Sequence, residues 1–456
     1  MDKAYIEKYI NRTFIDFMPG QEFMKYPVVF TQGKGVYLWD TEGKQYFDAI
    51  GGIFVASLGH RHPRIIAAMK EQMDRLTMVP PLHSISDVTL KFIETLGKVT
   101  PGNLNYIKSF SGGSESIEAA IKFTRQYFRQ NGQPDKMKVL SNYLSYHGAT
   151  FGAMSASGSP RKIKFEPQMP GFVKVYSPKQ LRDDFVTWEE TCRYAAKLVR
   201  RTIEAERPET VGVFLVEPIC NTAGIITPTE EYFHMLRDTC NEYGVILIFD
   251  EVLTGFGKTG DMFAAQTFGV TPDIICSGKG LSSGLIPVGA MIAREDLAQG
   301  FNAGTEANGQ NFMHGHTFAN FPLADAVATA VINVMTEEKL PERARALGKY
   351  IRGRLEGLKK YGVIREVRGK GILLGVELVE DPVTNRPFPE GRKLGTALKR
   401  TALDNGIILR IDADWFAMAP PLVTTDDQAA EMCDKIEASL KQAMDIVSKS
   451  RSVLHA

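Results

Sequence analysis

An amine becomes a nucleophile only where it can shed its proton, and Lys279 stands where a chain could arrange that. It emerges from the apolar run of PDIICSGKGLSSG into a loop of glycine and serine. Burial beside a strand disfavours the ammonium form, while glycines on both sides leave room for a flat ring against the backbone. A lysine in such a loop is more often simply solvated. Lys258, in GFGKTG, is a rival among glycines but follows no strand directly. Asp250 closes GVILIFDE, an apolar run that ends in two carboxylates. By itself it reads as a strand-end turn or a helix cap. Beside Lys279 it gains a chemical meaning. An imine-forming lysine, with a carboxylate to hold the proton of a pyridine nitrogen, suits pyridoxal 5'-phosphate (PLP), because the protonated ring draws off the electrons of a carbanion. Val252 falls on the same face as Asp250 in an extended chain and could pack on that ring.

A phosphorylated cofactor also needs N–H groups. SGGSESIEAAIKFTRQYF runs from the strand NYIKSF through small residues into an amphipathic helix. The backbone of Gly113 and Ser114, with the Ser114 hydroxyl, would face an anion at that helix start. The same letters describe a plain helix cap at Ser114. In YLSYHGATFGAMSASG, Tyr146 and His147 precede a glycine after a strand. An aromatic ring there stacks on a flat ligand or merely closes the sheet. His147 has no second histidine or cysteine at ligand spacing, which argues against a metal site.

These residues need a large scaffold to hold them. At 456 residues, 44% hydrophobic and 23% charged, the chain can bury a large core and a second lobe, and disordered or fibrous classes drop out. Fifty-four basic against fifty-three acidic residues leave a net charge of +1. That is no field to gather phosphate backbones or anionic lipid, so neither nucleic acid nor membrane is an expected partner. Five scattered cysteines with no CxxC pair fit a reducing compartment. The opening MDKAYIEKYINRTF lacks the apolar stretch of a signal peptide, and no window resembles a membrane span, so a cytoplasmic location is expected.

GKGVYLWDTEGKQYFDAI predicts a hairpin turning at Glu42-Gly43. From about residue 105, short apolar runs alternate with helix-length amphipathic stretches: NYIKSF, KVLSNY, VGVFLVEP, GVILIFDE, PDIICSG and PVGAMIA. Runs apolar throughout are buried on both faces. The pattern therefore predicts an α/β protein with a mostly parallel sheet covered by helices, its ligands at the carboxyl ends of the strands. After about residue 322, a long helical stretch, GILLGVELVE, GTALKRTALDNGIILR and a last helix from Asp426 to about Lys449 predict a smaller α+β domain completed by the N-terminal hairpin. The expected division is 1–60 as the N-terminal part of the small domain, 61–325 as the large cofactor-binding domain and 326–456 as the C-terminal small domain.

In order and spacing these motifs resemble the class III, or omega-amino, aminotransferases of PLP fold type I. Over nearly the whole chain the matches are GGSE near residue 113, YHG at 146–148, EPI at 217–219, DEV at 250–252, SGKG at 277–280, HTF at 316–318 and APPL at 419–422. The resemblance implies that Lys279 carries the cofactor as a Schiff base and shuttles the substrate proton, while Asp250 holds the proton of the pyridine nitrogen. It implies that Gly113 and Ser114 take the phosphate. Tyr146, with His147 beside it, would cover one ring face and Val252 the other. Thr317 resembles the residue that reaches a partner's phosphate, which implies a homodimer with shared active sites.

Departures from the family pattern narrow the substrate. Members that use ornithine or 4-aminobutyrate with 2-oxoglutarate carry a glutamate five residues after the EP glutamate and an arginine shortly before the C-terminal proline-leucine. Thr222 and Ala417 stand there in this chain. Arg410 resembles the mobile arginine of omega-amine:pyruvate aminotransferases, or is a surface arginine that ends GIILR. Phe54 resembles the aromatic residue that shapes the pocket in that subgroup. The expected activity is ping-pong transfer of an amino group from an amine or omega-amino acid to a short 2-oxo acid, with pyruvate favoured. Racemases, epimerases and decarboxylases of the same fold keep the lysine and the aspartate and remain alternatives. A non-catalytic binding protein is a further alternative, which Lys279 and Asp250 together oppose.

Overall fold

Alternating apolar and polar residues near the N-terminus form three short antiparallel strands, β1 (Phe30–Lys34), β2 (Tyr37–Asp40) and β3 (Gln45–Asp48). The β2–β3 turn falls at Glu42-Gly43 as its letters predict: Gly43 takes a positive φ of 80°, and Asp40 Oδ1 accepts the N–H groups of Glu42 and Lys44, each at 2.9 Å. The computed structural model describes residues 2–302 and 310–453.

The uniformly apolar runs become the strands of one large sheet: β4 (Leu104–Phe110), β5 (Lys138–Asn142), β6 (Phe172–Val175), β7 (Val211–Val216), β8 (Ile246–Asp250), β9 (Ile274–Ser277) and β10 (Gly289–Arg294). Their order is β4-β10-β9-β8-β7-β5-β6, with β10 antiparallel to both neighbours and the other pairings parallel. Every residue of β7, β8 and β9 is buried. On β8, Leu247 and Phe249 enter the core on one face, and Ile246 and Ile248 the core on the other. Helix Gly113–Gln130 covers the second face with Ile117, Ala120, Ile121 and Phe123. Helix Trp188–Ala205 adds Cys192, Ala195, Val199 and Ile203 to the first. Its start is fixed by Thr187 and Glu190, which cap each other's backbone. Burying a large aliphatic or aromatic side chain is worth roughly 1.5–3 kcal/mol, so the two covered faces settle the orientation of every central strand.

Strand β6 has no counterpart among the expected runs, because FVKV is short and only half-buried. Beyond helices Pro322–Glu337 and Leu340–Glu356 come β11 (Ile364–Lys370), β12 (Leu373–Leu378), β13 (Ile407–Ile408), β14 (Arg410–Ile411) and β15 (Trp415–Met418). Four of them make an antiparallel sheet in the order β11-β12-β15-β14. Strand β13 instead pairs parallel with β3, Ile407 opposite Phe47, so the first and last parts of the chain share a sheet. The last helix, Asp426–Val453, runs slightly past its expected end. Among the described residues no helix is long and apolar enough to cross a membrane.

Candidate active site

The carboxyl ends of five strands converge on one cavity of about 460 Å³. β4 leads into Ser111–Ser114, β5 into Tyr146 and His147, β7 into Glu217, β8 ends on Asp250, and β9 ends two residues before Lys279. Seven of the residues singled out in the sequence line its wall together: Gly113, Ser114, Tyr146, His147, Asp250, Val252 and Lys279.

Lys279 opens a short 3-10 turn with φ at 41°, a left-handed conformation that is uncommon for lysine. Burial lowers its pKa below the ordinary lysine value, against the opposing pull of Asp250 and Glu217. The amine is therefore nearer its nucleophilic form than a solvated lysine would be. Lys258 lies behind this loop: a Cβ on Gly280 would stand 2.8 Å from its Nζ. It is also buried, with its pKa brought down to about 7. It faces a closed crevice with Ser57 and Ile372 rather than the cavity.

Asp250 is buried, and each oxygen has work to do. Oδ1 accepts the Val252 N–H at 3.1 Å, and Oδ2 lies 2.8 Å from Nδ1 of His147. The His147 backbone N–H in turn donates to Ser157 Oγ at 2.8 Å. His147 thus orients the carboxylate, a role its position in YHG did not disclose. Val252 leans over the glycine loop so closely that a Cβ on Gly113 would meet its methyl carbons at 2.8 and 2.9 Å. Gly113 keeps that slot open.

Helix Gly113–Gln130 starts at the cavity with its N–H groups free to face an anion. Ser114 Oγ accepts the Ala149 N–H at 3.1 Å, leaving its own proton to give. Glu118 accepts the Thr150 hydroxyl at 2.6 Å and the Gly152 N–H at 2.9 Å, which fastens this helix to the segment that carries Tyr146 and His147.

Glu217 went unassigned in the sequence beyond its place in EPI. It is buried, its Oε1 accepts the Tyr146 N–H at 2.8 Å, and burial pushes its pKa up to about 7, which His147 opposes and Asp250 reinforces. The signal was present: VGVFLV ends in a carboxylate as GVILIF does, and the two strands are neighbours in register, Val216 beside Phe249.

Three expected residues stand away from the cavity wall. Phe54 is fully buried at a positive φ of 63°, turned into the closed crevice against Ala419 and Pro420, and its neighbour Val55 lines the cavity instead. Thr317 is exposed. Arg410 is half-buried over the Trp415 ring, 5.4 Å from its centroid, with Asp412 no closer than 3.8 Å. Thr222 lines the cavity but gives its hydroxyl to the Leu144 carbonyl at 2.5 Å.

A PLP site calls for an amine, a carboxylate for the ring nitrogen, an anion cup and a flat apolar slot. Lys279, Asp250, the Gly113–Ser114 helix start and the Val252 slot provide groups of each kind. The sequence model of the class-III aminotransferases matches residues 19–440, and the chain belongs to that family, whose members depend on PLP. It is similar to an (S)-enantioselective omega-transaminase from Thermomicrobium roseum, with 34% identity, a TM-score of 0.91 and coverage of 96% of this chain and 98% of that one. The PMP-bound aminotransferase of Vibrio fluvialis superimposes with a TM-score of 0.92 at 30% identity, over 98% of this chain and 99% of that one. The putrescine–pyruvate aminotransferase of Pseudomonas aeruginosa is 30% identical over 91% of this chain and 90% of its own length. The chain is a class III, omega-transaminase-like aminotransferase of PLP fold type I.

Proposed function

We propose that this enzyme moves an amino group from an amine or omega-amino acid to a short 2-oxo acid, pyruvate above others, in two alternating half-reactions on one site. When bound, PLP supplies a protonated ring that takes up the electrons of the substrate C–H bond. Lys279 carries the proton between substrate carbon and cofactor carbon, and Asp250, oriented by His147, keeps the ring nitrogen protonated. Gly113 and Ser114 hold the phosphate, with Tyr146 and Val252 enclosing the ring. Thr317, exposed on the single chain, is assigned to the phosphate of a second subunit, which makes the enzyme a homodimer with shared active sites. Its place is the cytoplasm, and its two domains follow the division 1–60 with 326–456, and 61–325.

One observation carries the choice of acceptor. Arg410 on β14 is the register partner of Ala417 on β15, so the strand position that lacks the arginine of the 2-oxoglutarate enzymes faces a strand that offers another. Held by a ring and only a distant carboxylate, that guanidinium can turn toward a carboxylate and away from an apolar amine. A relative acting with putrescine and pyruvate supports the pairing of an amine donor with that acceptor. With one fixed donor, pyruvate is expected to exceed 2-oxoglutarate in kcat/KM. Arg410→Ala is expected to lower kcat/KM for pyruvate at least tenfold and to leave an aldehyde acceptor nearly unchanged, because a charge-assisted, bidentate contact serves only the carboxylate. Equal losses would make Arg410 structural, and a preference for 2-oxoglutarate would refute the assignment.

A further inference from the structure

Several polar side chains in the cavity wall already have partners. Asp250 is met by His147, Glu217 by the Tyr146 N–H, Ser114 by the Ala149 N–H, and Thr222 is spent on Leu144. Asn221 stands in the wall too, and its Oδ1, like Nε2 of His147, is sealed from water without a hydrogen-bond partner. A buried amide oxygen left unpaired costs free energy that a partner would restore. The terminal torsion of an amide is soft, so rotation can exchange its two ends.

The turn that carries Asn221 is itself well fixed. Cys220 and Ile226 exchange backbone hydrogen bonds at 2.9 Å each, and the Gly224 N–H closes the turn on the Asn221 carbonyl at 2.9 Å. Gly224, at φ 88°, lies so close to β11 and β15 that a Cβ there would meet Arg368 Nη2 at 2.8 Å and the Trp415 ring at 3.0 Å. That ring is the one beneath Arg410. In the sheet, β7, which leads into this turn, and β4, which leads into the glycine-serine cup, lie on opposite sides of β8 and β9. Asn221 therefore flanks Asp250 and Lys279 on the side away from the anion cup, next to the elements that carry Arg410.

Provided that Lys279 and Asp250 hold the cofactor in this cavity, we propose that the Asn221 carboxamide reads the distal end of the amine donor. It selects donors that carry a second hydrogen-bonding group, a hydroxyl or an amine, over apolar amines of the same length. A site built to hydrogen-bond a hydroxyl discriminates against the analogue that leaves its polar group bare.

Two donors with equal numbers of heavy atoms test this, 4-aminobutan-1-ol and pentylamine, each with pyruvate on the holoenzyme. The ratio of their kcat/KM values is read in the wild type, in Asn221→Ala and in Asn221→Ser, because a ratio taken on one preparation is insensitive to a loss of folded protein. The wild type is expected to favour the amino alcohol, and Asn221→Ala to lower that ratio about tenfold, the size of one hydrogen bond. Asn221→Ser, which keeps a turn-forming hydroxyl too short to reach, is expected to do the same. An unchanged ratio, or no turnover of the amino alcohol by the wild type, overturns the proposal. So does an equal loss for both donors with a displaced pH titration of the bound cofactor's absorbance, which would make Asn221 a cofactor contact. Failure of the wild type to show that absorbance at all would instead refute the cavity assignment on which the proposal depends.

Discussion

Two lysines among glycines compete for the same chemistry, and their surroundings separate them. Both are buried enough to lose basicity, but Lys279 shares its cavity with Asp250 while Lys258 faces a closed crevice. Borohydride reduction of the holoenzyme followed by peptide mapping is therefore expected to find the pyridoxyl label on Lys279. Lys279→Ala is expected to abolish turnover in a folded protein that still holds cofactor through the phosphate cup, and a label on Lys258 would reverse the assignment. Asp250→Asn replaces the negative group that His147 orients with a neutral one. Loss of a charge-assisted bond at a buried site costs roughly 1.5–3 kcal/mol, so kcat is expected to fall at least tenfold with cofactor affinity only moderately reduced. Near-normal activity would remove Asp250 from the mechanism. These two residues were legible in the sequence because each stands at or just past the end of a buried strand. Glu217 and Asn221 were not, although Glu217 follows β7 as Asp250 ends β8. Their meaning depends on which strands are neighbours, and a linear string does not give that order.

Strand ends and one helix start do the positioning. The apolar runs from NYIKSF to PVGAMIA all became strands of the large sheet, since residues buried on both faces leave a strong one-dimensional signal. Strand β6 and the strands β11 and β15 escaped notice because they are short or half-polar. Phe54 shows a different limit. The chain turns through positive φ at Gly51, Gly52 and Phe54, and this sends the aromatic ring into the core and Val55 to the cavity, which side-chain type alone does not foretell. At Gly113 the demand of the element on the residue is sharpest, because helix and β8 approach until Val252 leaves no space for a methyl group. Gly113→Ala is expected to push Val252 into the ring slot. Cofactor affinity, followed by absorbance during dialysis, should fall about tenfold or more. Thermal unfolding of the cofactor-free protein should change little, since this residue sits in the first turn of a long helix. Unaltered cofactor retention would mean that the slot is not where the ring lies.

A buried ionic network ties the C-terminal sheet to the large sheet beside the cavity. Glu377 on β12 pairs with Arg368 on β11 and, at 2.6 Å, with Lys179, which belongs to the segment after β6. Arg368 Nε also donates to the Gly224 carbonyl at 2.6 Å, in the turn that begins at Asn221. Burial pushes the Glu377 pKa up, but Arg368 and Lys179 outweigh it and hold the carboxyl down at about 2. The sign of the linkage follows. A carboxyl whose folded pKa lies below its unfolded value adds stability that is fully present above the unfolded value of about 4.3 and is lost as pH falls toward 2. Glu377→Gln keeps the shape but takes from buried Arg368 and half-buried Lys179 the carboxylate they share, a change that costs up to roughly 3–5 kcal/mol when one partner of a fully buried pair is removed. Its apparent Tm is therefore expected to lie clearly below that of the wild type at pH 7, with the gap narrowing steadily as the pH is lowered from about 4.5, because the unfolded wild-type chain then gains a proton at Glu377 that the folded carboxyl does not. Since the same network holds the Asn221 turn, the variant is also expected to raise KM for amine donors more than it lowers kcat. A Tm difference that stays constant from pH 7 to pH 3 would show that the ion pairs contribute nothing and that packing alone joins the two sheets.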